Sequence, residues 1–175
     1  MQVPEAKPAF EWILDGPVQK VSPQRRHALL QVAIGEVLRT WARGRGEVGS
    51  EWRFRVQPPA GVIRPLVPDL AYLSYERMGN RSDAELEAPL LAPNLAVEIL
   101  SPDDRRALLD AKIAVYLAAG TEAVVVVDPD HRSFELHDRT GVRTFVEGES
   151  LAHPAFPKLV LVLSELFDAL RRPGA

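Results

Sequence analysis

Two carboxylates and one lysine stand in stretches whose neighbours are apolar. Asp69 sits in L-V-P-D-L-A-Y-L, from Leu66 to Leu73, and Glu98 in L-A-V-E-I-L, from Leu95 to Leu100. Both stretches read as β-strands. A buried carboxylate is costly unless it is paired, bound to a metal or protonated. Two carboxylates side by side raise each other's pKa unless a cation lies between them. A hard divalent ion resolves that conflict, and Mg²⁺ is typically held by one or two carboxylates plus substrate phosphate. The lysine is Lys112. Leu108 and Tyr116 fall within about 40° of it at roughly 100° per residue, with Leu109 and Ala119 beside them. Asp103, Arg106 and Asp110 occupy the far side. Lys112 therefore points the way a helix turns its apolar stripe, toward Glu98. A lysine, two acids and a metal are the parts needed to direct water at a phosphodiester.

The elements that must position these groups follow from periodicity. Phe10 to Val21 forms a strand hook around the turn Asp15-Gly16-Pro17. Ser22-Pro23 signals a helix start, and Leu30, Ile34, Val37, Leu38 and Trp41 give the helix one buried stripe before Gly44 ends it. His27 projects near that stripe; Glu36 lies on its flank. Glu51 to Gln57 alternates as a half-exposed strand, and Leu66 to Leu73 is a second. Ser74 to Asn94 is a surface loop with one helical turn after Ser74. Leu95 to Leu100 is a third strand. Ser101-Pro102-Asp103-Asp104 starts a second helix that runs to Ala119, with Gly120 closing it. The continuous apolar run Ala123 to Val127 is a central strand buried on both faces. Strands at Ser133 to His137, Val142 to Val146 and Leu159 to Leu163 follow, and Ser164 caps a short helix through Leu170 that extends the fold. The crossover helix places the fourth strand parallel to the third. The fold class is α/β: a mixed central β-sheet flanked by helices, with extra antiparallel strands. One domain accounts for residues 1–175, with a core over about 22–128, the hook at 10–21 and C-terminal strands and helix at 131–170.

Composition excludes several classes. There is no cysteine, so there is no disulfide framework, thiol nucleophile or Cys-based zinc site. No window is long and apolar enough to span a membrane, and M-Q-V-P-E-A-K-P at the start has no apolar stretch, so a cytoplasmic protein is expected. The net charge of −3 does not mark a nucleic-acid binder. Its distribution is uneven: Lys20 to Arg64 has nine basic residues against three acids, and Val67 to Asp110 has nine acids against four arginines. That asymmetry suits a phosphate-binding surface beside a carboxylate cluster, and equally suits ordinary solvated faces.

Pro68-Asp69, then V-E-I-L-S-P from Val97, then K-I-A-V-Y from Lys112, then V-V-V-V-D-P from Val124 occur in an order that resembles the Uma-type family of putative restriction endonucleases, a bacterial branch of the PD-(D/E)XK nuclease superfamily. F-E-W-I-L-D-G from Phe10, S-P-Q-R-R-H from Ser22 and L-S-E-L-F from Leu163 fit as flanks. The resemblance implies a restriction-endonuclease-like core and Mg²⁺-dependent DNA cleavage, with Mn²⁺ as an alternative ion. Asp69, Glu98 and the Ile99 carbonyl would hold the metal. The superfamily's usual lysine position falls on Leu100, so Lys112 would be the displaced lysine that orients water. His27 and Glu11 match family positions near the site, and Glu36 is a further candidate acid. Arg25, Arg26, Arg53 and Arg55 would grip flanking phosphates. A homodimer is expected by analogy with nucleases that cut both strands. Two other readings stay open: a non-catalytic nucleic-acid-binding or protein-interaction module on the same fold, and an α/β domain with a carboxylate-lined small-molecule site.

Overall fold

The computed structural model describes residues 9–14, 16–20, 23–59, 61–102 and 105–172. The chain opens with a hairpin of β1 (Phe10–Ile13) and β2 (Gly16–Gln19), the hook expected from sequence. Asp15 of its turn lies outside the described residues. Helix α1 (Arg25–Ala42) follows. It starts after Gln24, later than the Ser22-Pro23 signal suggested, and Ser22 lies outside the described residues. Leu30, Ile34 and Leu38 are fully buried at i, i+4 spacing, and His27 lies on the same stripe.

Strand β3 (Gly46–Ser50) was not anticipated. A side chain on Gly46 would meet the Leu73 carbonyl at 2.2 Å, so only glycine allows β3 to approach that closely. The strand expected over Glu51 to Gln57 shrinks to β4 (Phe54–Val56), which pairs with β5 (Arg64–Leu66). The strand expected over Leu66 to Leu73 is split. It resumes as β6 (Leu70–Ser74), leaving Val67, Pro68 and Asp69 outside any ladder. Pro68 has no N–H to donate, and the residue before it is held extended, so a break here is chemically natural. Helix α2 (Tyr75–Met78) is the single turn expected, with Ser74 Oγ accepting from the Arg77 amide; α3 (Asp83–Leu86) is an added turn.

Next come β7 (Leu95–Ile99), α4 (Arg106–Ala118) and β8 (Ala123–Asp128). Helix α4 begins after Arg105, so Ser101-Pro102 lies before it; Asp103 and Asp104 lie outside the described residues. Gly120, at φ 98°, ends it as expected. Strands β9 (Ser133–Asp138) and β10 (Gly141–Val146) form a hairpin. A small sheet of β11 (Ser150–Ala152) and β12 (Val160–Val162) leads into α5 (Leu163–Asp168). Ser164 lies inside α5 rather than capping it. The helix is no peripheral extension, because Leu163, Leu166 and Phe167 are buried in the main core.

The central six-stranded sheet has the order β10-β9-β8-β7-β6-β3, with β7 and β8 parallel and the other neighbours antiparallel. Alternation divides the strands between two cores. Leu95, Val97 and Ile99 face α1 and α5, while Ala96 faces α4, the hook and the β4-β5 pair. The mixed sheet with helices on both faces and added antiparallel strands is the architecture the sequence implies.

Candidate active site

Strands β6 and β7 pair antiparallel with Leu70 opposite Val97. Asp69 immediately precedes Leu70 and Glu98 immediately follows its partner Val97, so the two acids lie at the same end of the β6-β7 pair. The backbone groups released by the break before β6 are taken by side chains, as burial requires. The Val67 amide donates to Glu11 Oε1 at 2.6 Å. The Val67 carbonyl accepts from Lys20 Nζ at 2.9 Å and Lys112 Nζ at 3.3 Å. The Asp69 carbonyl accepts from Gln31 Nε2 at 2.8 Å and from the Glu51 amide at 3.3 Å.

The inner half of the site is sealed. Lys112 Nζ sits 2.7 Å from Glu11 Oε1 and 2.8 Å from Glu98 Oε2, and all three residues are buried. Among the described residues, Glu98 Oε1 and the Tyr116 hydroxyl are buried with no hydrogen bond of good geometry, although burial and, after it, the nearby Glu98 carboxyl raise the Tyr116 pKa. Burial pushes Glu98 up to about 8; Lys112 opposes that rise and Asp69 adds to it. Burial works against the charge on Lys112, but Glu11 and Glu98 outweigh it and raise its pKa.

The outer half is centred on Asp69. Its Oδ1 lies 2.6 Å from Lys20 Nζ. Its Oδ2 lies 3.0 Å from His27 Nε2 and accepts from the Ile99 amide at 2.7 Å. Burial would raise the Asp69 pKa, but the His27 hydrogen bond and the Lys20 charge overcome it and hold the carboxyl well below its usual range. Lys20 also reaches Glu51 Oε1 at 3.2 Å. Its pKa is raised because Asp69 and Glu98 outweigh the opposing effect of burial. This half opens toward solvent: the Lys20 side chain is 13% exposed and that of Glu51 47%, against 5% for Lys112.

His27 also lines a cleft of about 950 Å³ beside the site. Among the described residues, Arg25, Arg26, Arg132, Arg171 and Arg172 line it with one carboxylate, Asp130, which pairs with Arg26 at 2.5 Å.

The structure thus brings together Asp69, Glu98, Lys112, His27 and Glu11, and it puts Arg25 and Arg26 at the neighbouring cleft. Arg53 and Arg55 do not line that cleft; Arg55 Nε donates instead to the Ala88 carbonyl at 2.8 Å. Glu36 is exposed on the outer face of α1. Sequence reasoning missed Lys20, Gln31 and Glu51. A signal for Lys20 exists: Val18 and Lys20 share one half-buried face of the hook, while Pro17 and Gln19 are exposed. Gln31 lies one helical turn beyond His27. Glu51 joins the site from a left-handed backbone at φ 52°, which no sequence pattern marks.

Comparison with known proteins agrees with this fold. A family model, Uma2, described as "Putative restriction endonuclease", matches residues 1–164. Among solved structures, a crystal structure from Anabaena variabilis described as a putative nuclease belonging to DUF820 is 26% identical. It superposes with a TM-score of 0.86 over 97% of this chain and 95% of that one. No curated protein matches the chain.

Proposed function

Because the chain belongs to the Uma2 family, we propose that it is a Mg²⁺-dependent DNA endonuclease that hydrolyses phosphodiester bonds. The observation that supports this reading is the pair of buried acids Asp69 and Glu98, each on a lysine that also bonds the Val67 carbonyl, with His27 linking Asp69 to an arginine-lined cleft. A binding module would have no use for acids so buried.

The donor chemistry fits a hard cation. Among the described residues Glu98 Oε1 is a buried oxygen with no well-formed hydrogen bond, and four carboxylates (Glu11, Glu51, Asp69 and Glu98) surround two ammonium groups. Among the described residues no group of three or more His, Asp or Glu side chains is preassembled for a metal, but Mg²⁺ needs only one or two carboxylates with water and phosphate. Asp69, Glu98 and the Ile99 carbonyl would hold the ion. Mn²⁺ would be accepted by the same oxygens. When bound, the ion supplies Lewis-acid charge to the phosphate.

The chain's own residues do the rest. His27 and the Ile99 amide hold Asp69 Oδ2 fixed and ionised. Glu11 fixes both Lys112 and the Val67 amide, which locks the break before β6. Lys112 keeps Glu98 from being an uncompensated buried charge. Arg25, Arg26 and their cleft neighbours would hold flanking phosphates, positioning the strand without reading its sequence. The test is nicking of supercoiled plasmid with Mg²⁺ or Mn²⁺. Activity in the wild type, lost in Asp69→Ala, supports the proposal. DNA binding without cleavage under either ion, unaffected by Asp69→Ala, would favour the non-catalytic module.

A further inference from the structure

The site contains two lysines, and they are not equivalent. A lysine ammonium has three N–H donors and accepts nothing. Those of Lys112 face Glu11, Glu98 and the Val67 carbonyl, all in a sealed pocket. It cannot touch a substrate without abandoning a buried partner, which is strongly unfavourable.

Lys20 is placed differently. Two of its partners, Asp69 Oδ1 at 2.6 Å and the Val67 carbonyl at 2.9 Å, hold its ammonium beside the catalytic acid. The third, Glu51 at 3.2 Å, is exposed. An exposed ion pair of that kind contributes little and is readily exchanged. Of the two lysines, Lys20 is the one nearer solvent, its side chain 13% exposed against 5% for Lys112. His27, on the other oxygen of Asp69, lines the arginine cleft, so the cleft and Lys20 converge on the same carboxylate.

We propose that Lys20 is the lysine that contacts the substrate phosphate, exchanging its bond to Glu51 for a phosphate oxygen, while Lys112 is a positioning residue for Glu98 and Glu11. This rests on the nuclease reading. Lys20 donates a hydrogen bond and transfers no proton. The hydrolysis consumes one water for each phosphodiester P–O bond broken and yields a phosphomonoester and a hydroxyl. Its contribution is to the charge that builds on the phosphate oxygens as water adds.

Two measurements test this. The first is fluorescence anisotropy of a labelled DNA duplex in EDTA across a salt series, which reads phosphate contact without cleavage. Lys20→Met should weaken binding and reduce the slope of log affinity against log salt by about 1, as for any lost phosphate contact. Lys20→Arg should keep the wild-type slope. Glu51→Gln, which frees the Lys20 donor and removes a competing charge, should tighten binding. A purely structural role would leave the slope unchanged, so a Lys20→Met protein with wild-type slope and affinity overturns the proposal. The other is plasmid nicking, where Lys20→Met should lose on the order of 100-fold in rate and Lys20→Arg recover part of it. If the wild type and Lys20→Met nick equally, the role of Lys20 is refuted and the nuclease reading stands. If the wild type nicks nothing, the nuclease reading falls and the salt slope alone decides whether Lys20 meets phosphate.

Discussion

Two ionic clusters in this molecule set a cation and a histidine against carboxylates at similar distances and differ in almost everything else. One is the group around Asp69 and Glu98. The other lies on β9, where Arg106 from α4 grips Glu135 at 2.9 and 3.0 Å, Asp110 at 2.8 Å takes the same guanidinium, and His137 Nε2 sits 2.9 Å from Glu135. By geometry alone the β9 cluster would be the stronger of the two, since its arginine is bidentate. The difference is water. Arg106 is 55% exposed, whereas Lys112 and Glu98 are almost fully enclosed. A hydrated pair gains little from its attraction and carries little penalty when broken. An enclosed pair holds charges that cannot be left alone. Close contact therefore does not identify a functional cluster here; the cost of enclosing it does.

The contrast can be broken most forcefully at its buried end. Lys112→Met leaves Glu11 and Glu98 facing each other without their cation, and should destabilise the protein by about 3–5 kcal/mol in urea unfolding. Adding Glu98→Gln to that variant should recover part of the loss. If Lys112→Met unfolds like the wild type, the enclosed cluster is no more demanding than the surface one.

Asp69→Ala comes next. Its effect should fall on chemistry: plasmid nicking should drop by at least about 100-fold, since the acid anchors Lys20, His27 and the proposed metal. Calorimetric titration with Mn²⁺ should show weaker binding in the same variant.

A smaller effect is expected from pH. The Glu98 pKa is raised from 4.5 to about 8, so the folded chain binds that proton more tightly than the unfolded one. Its contribution to stability is full below the unfolded value of 4.5 and is lost as pH rises through about 8. Asp69 has the opposite sign. Its pKa is lowered from 3.8, so its contribution is present above that value and is lost as pH falls below it. Melting temperature in EDTA should therefore fall between about pH 4.5 and about pH 8, and Glu98→Gln should flatten that fall. A flat wild-type profile would mean Glu98 is already ionised in the metal-free protein.

The smallest effect belongs to the surface cluster. Arg106→Gln should cost less than about 1 kcal/mol, fade further with added salt, and leave nicking unchanged. A loss of activity there would show that the β9 cluster is more than a solvated face.

Much of the site was legible because its members violate a local rule. Glu98 interrupts an apolar strand and Lys112 an apolar helix stripe, and in each case the register of a single element is enough to turn the side chain inward. His27 follows the α1 stripe for the same reason. Lys20 does not violate such a rule. It ends a short hook, where a lysine is ordinarily solvated. Its partners lie 31 and 49 residues away in Glu51 and Asp69, so only docking of the hook against the sheet end makes it a neighbour of the acids. Both helices begin later than the local signals suggested, α1 after Gln24 and α4 after Arg105, because a Ser-Pro pair marks the region of a helix start rather than its first residue.

The sequence by itself determined most of the order of elements, though not β3, the β5-β6 break or α3, together with the parallel β7-β8 pair with its crossover helix and the inward turn of Glu98 and Lys112, because periodicity and chain connectivity are local properties. Tertiary structure decided the pairs beyond Lys112 and Glu98: Lys112 with Glu11, and Lys20 with Asp69 and Glu51. It broke the strand at Pro68, handed the freed Val67 backbone to Glu11, Lys20 and Lys112, sealed one lysine and left the other facing solvent. The physical reason is that burial, not residue type, sets the strength of a charge, and burial is settled only when distant elements pack.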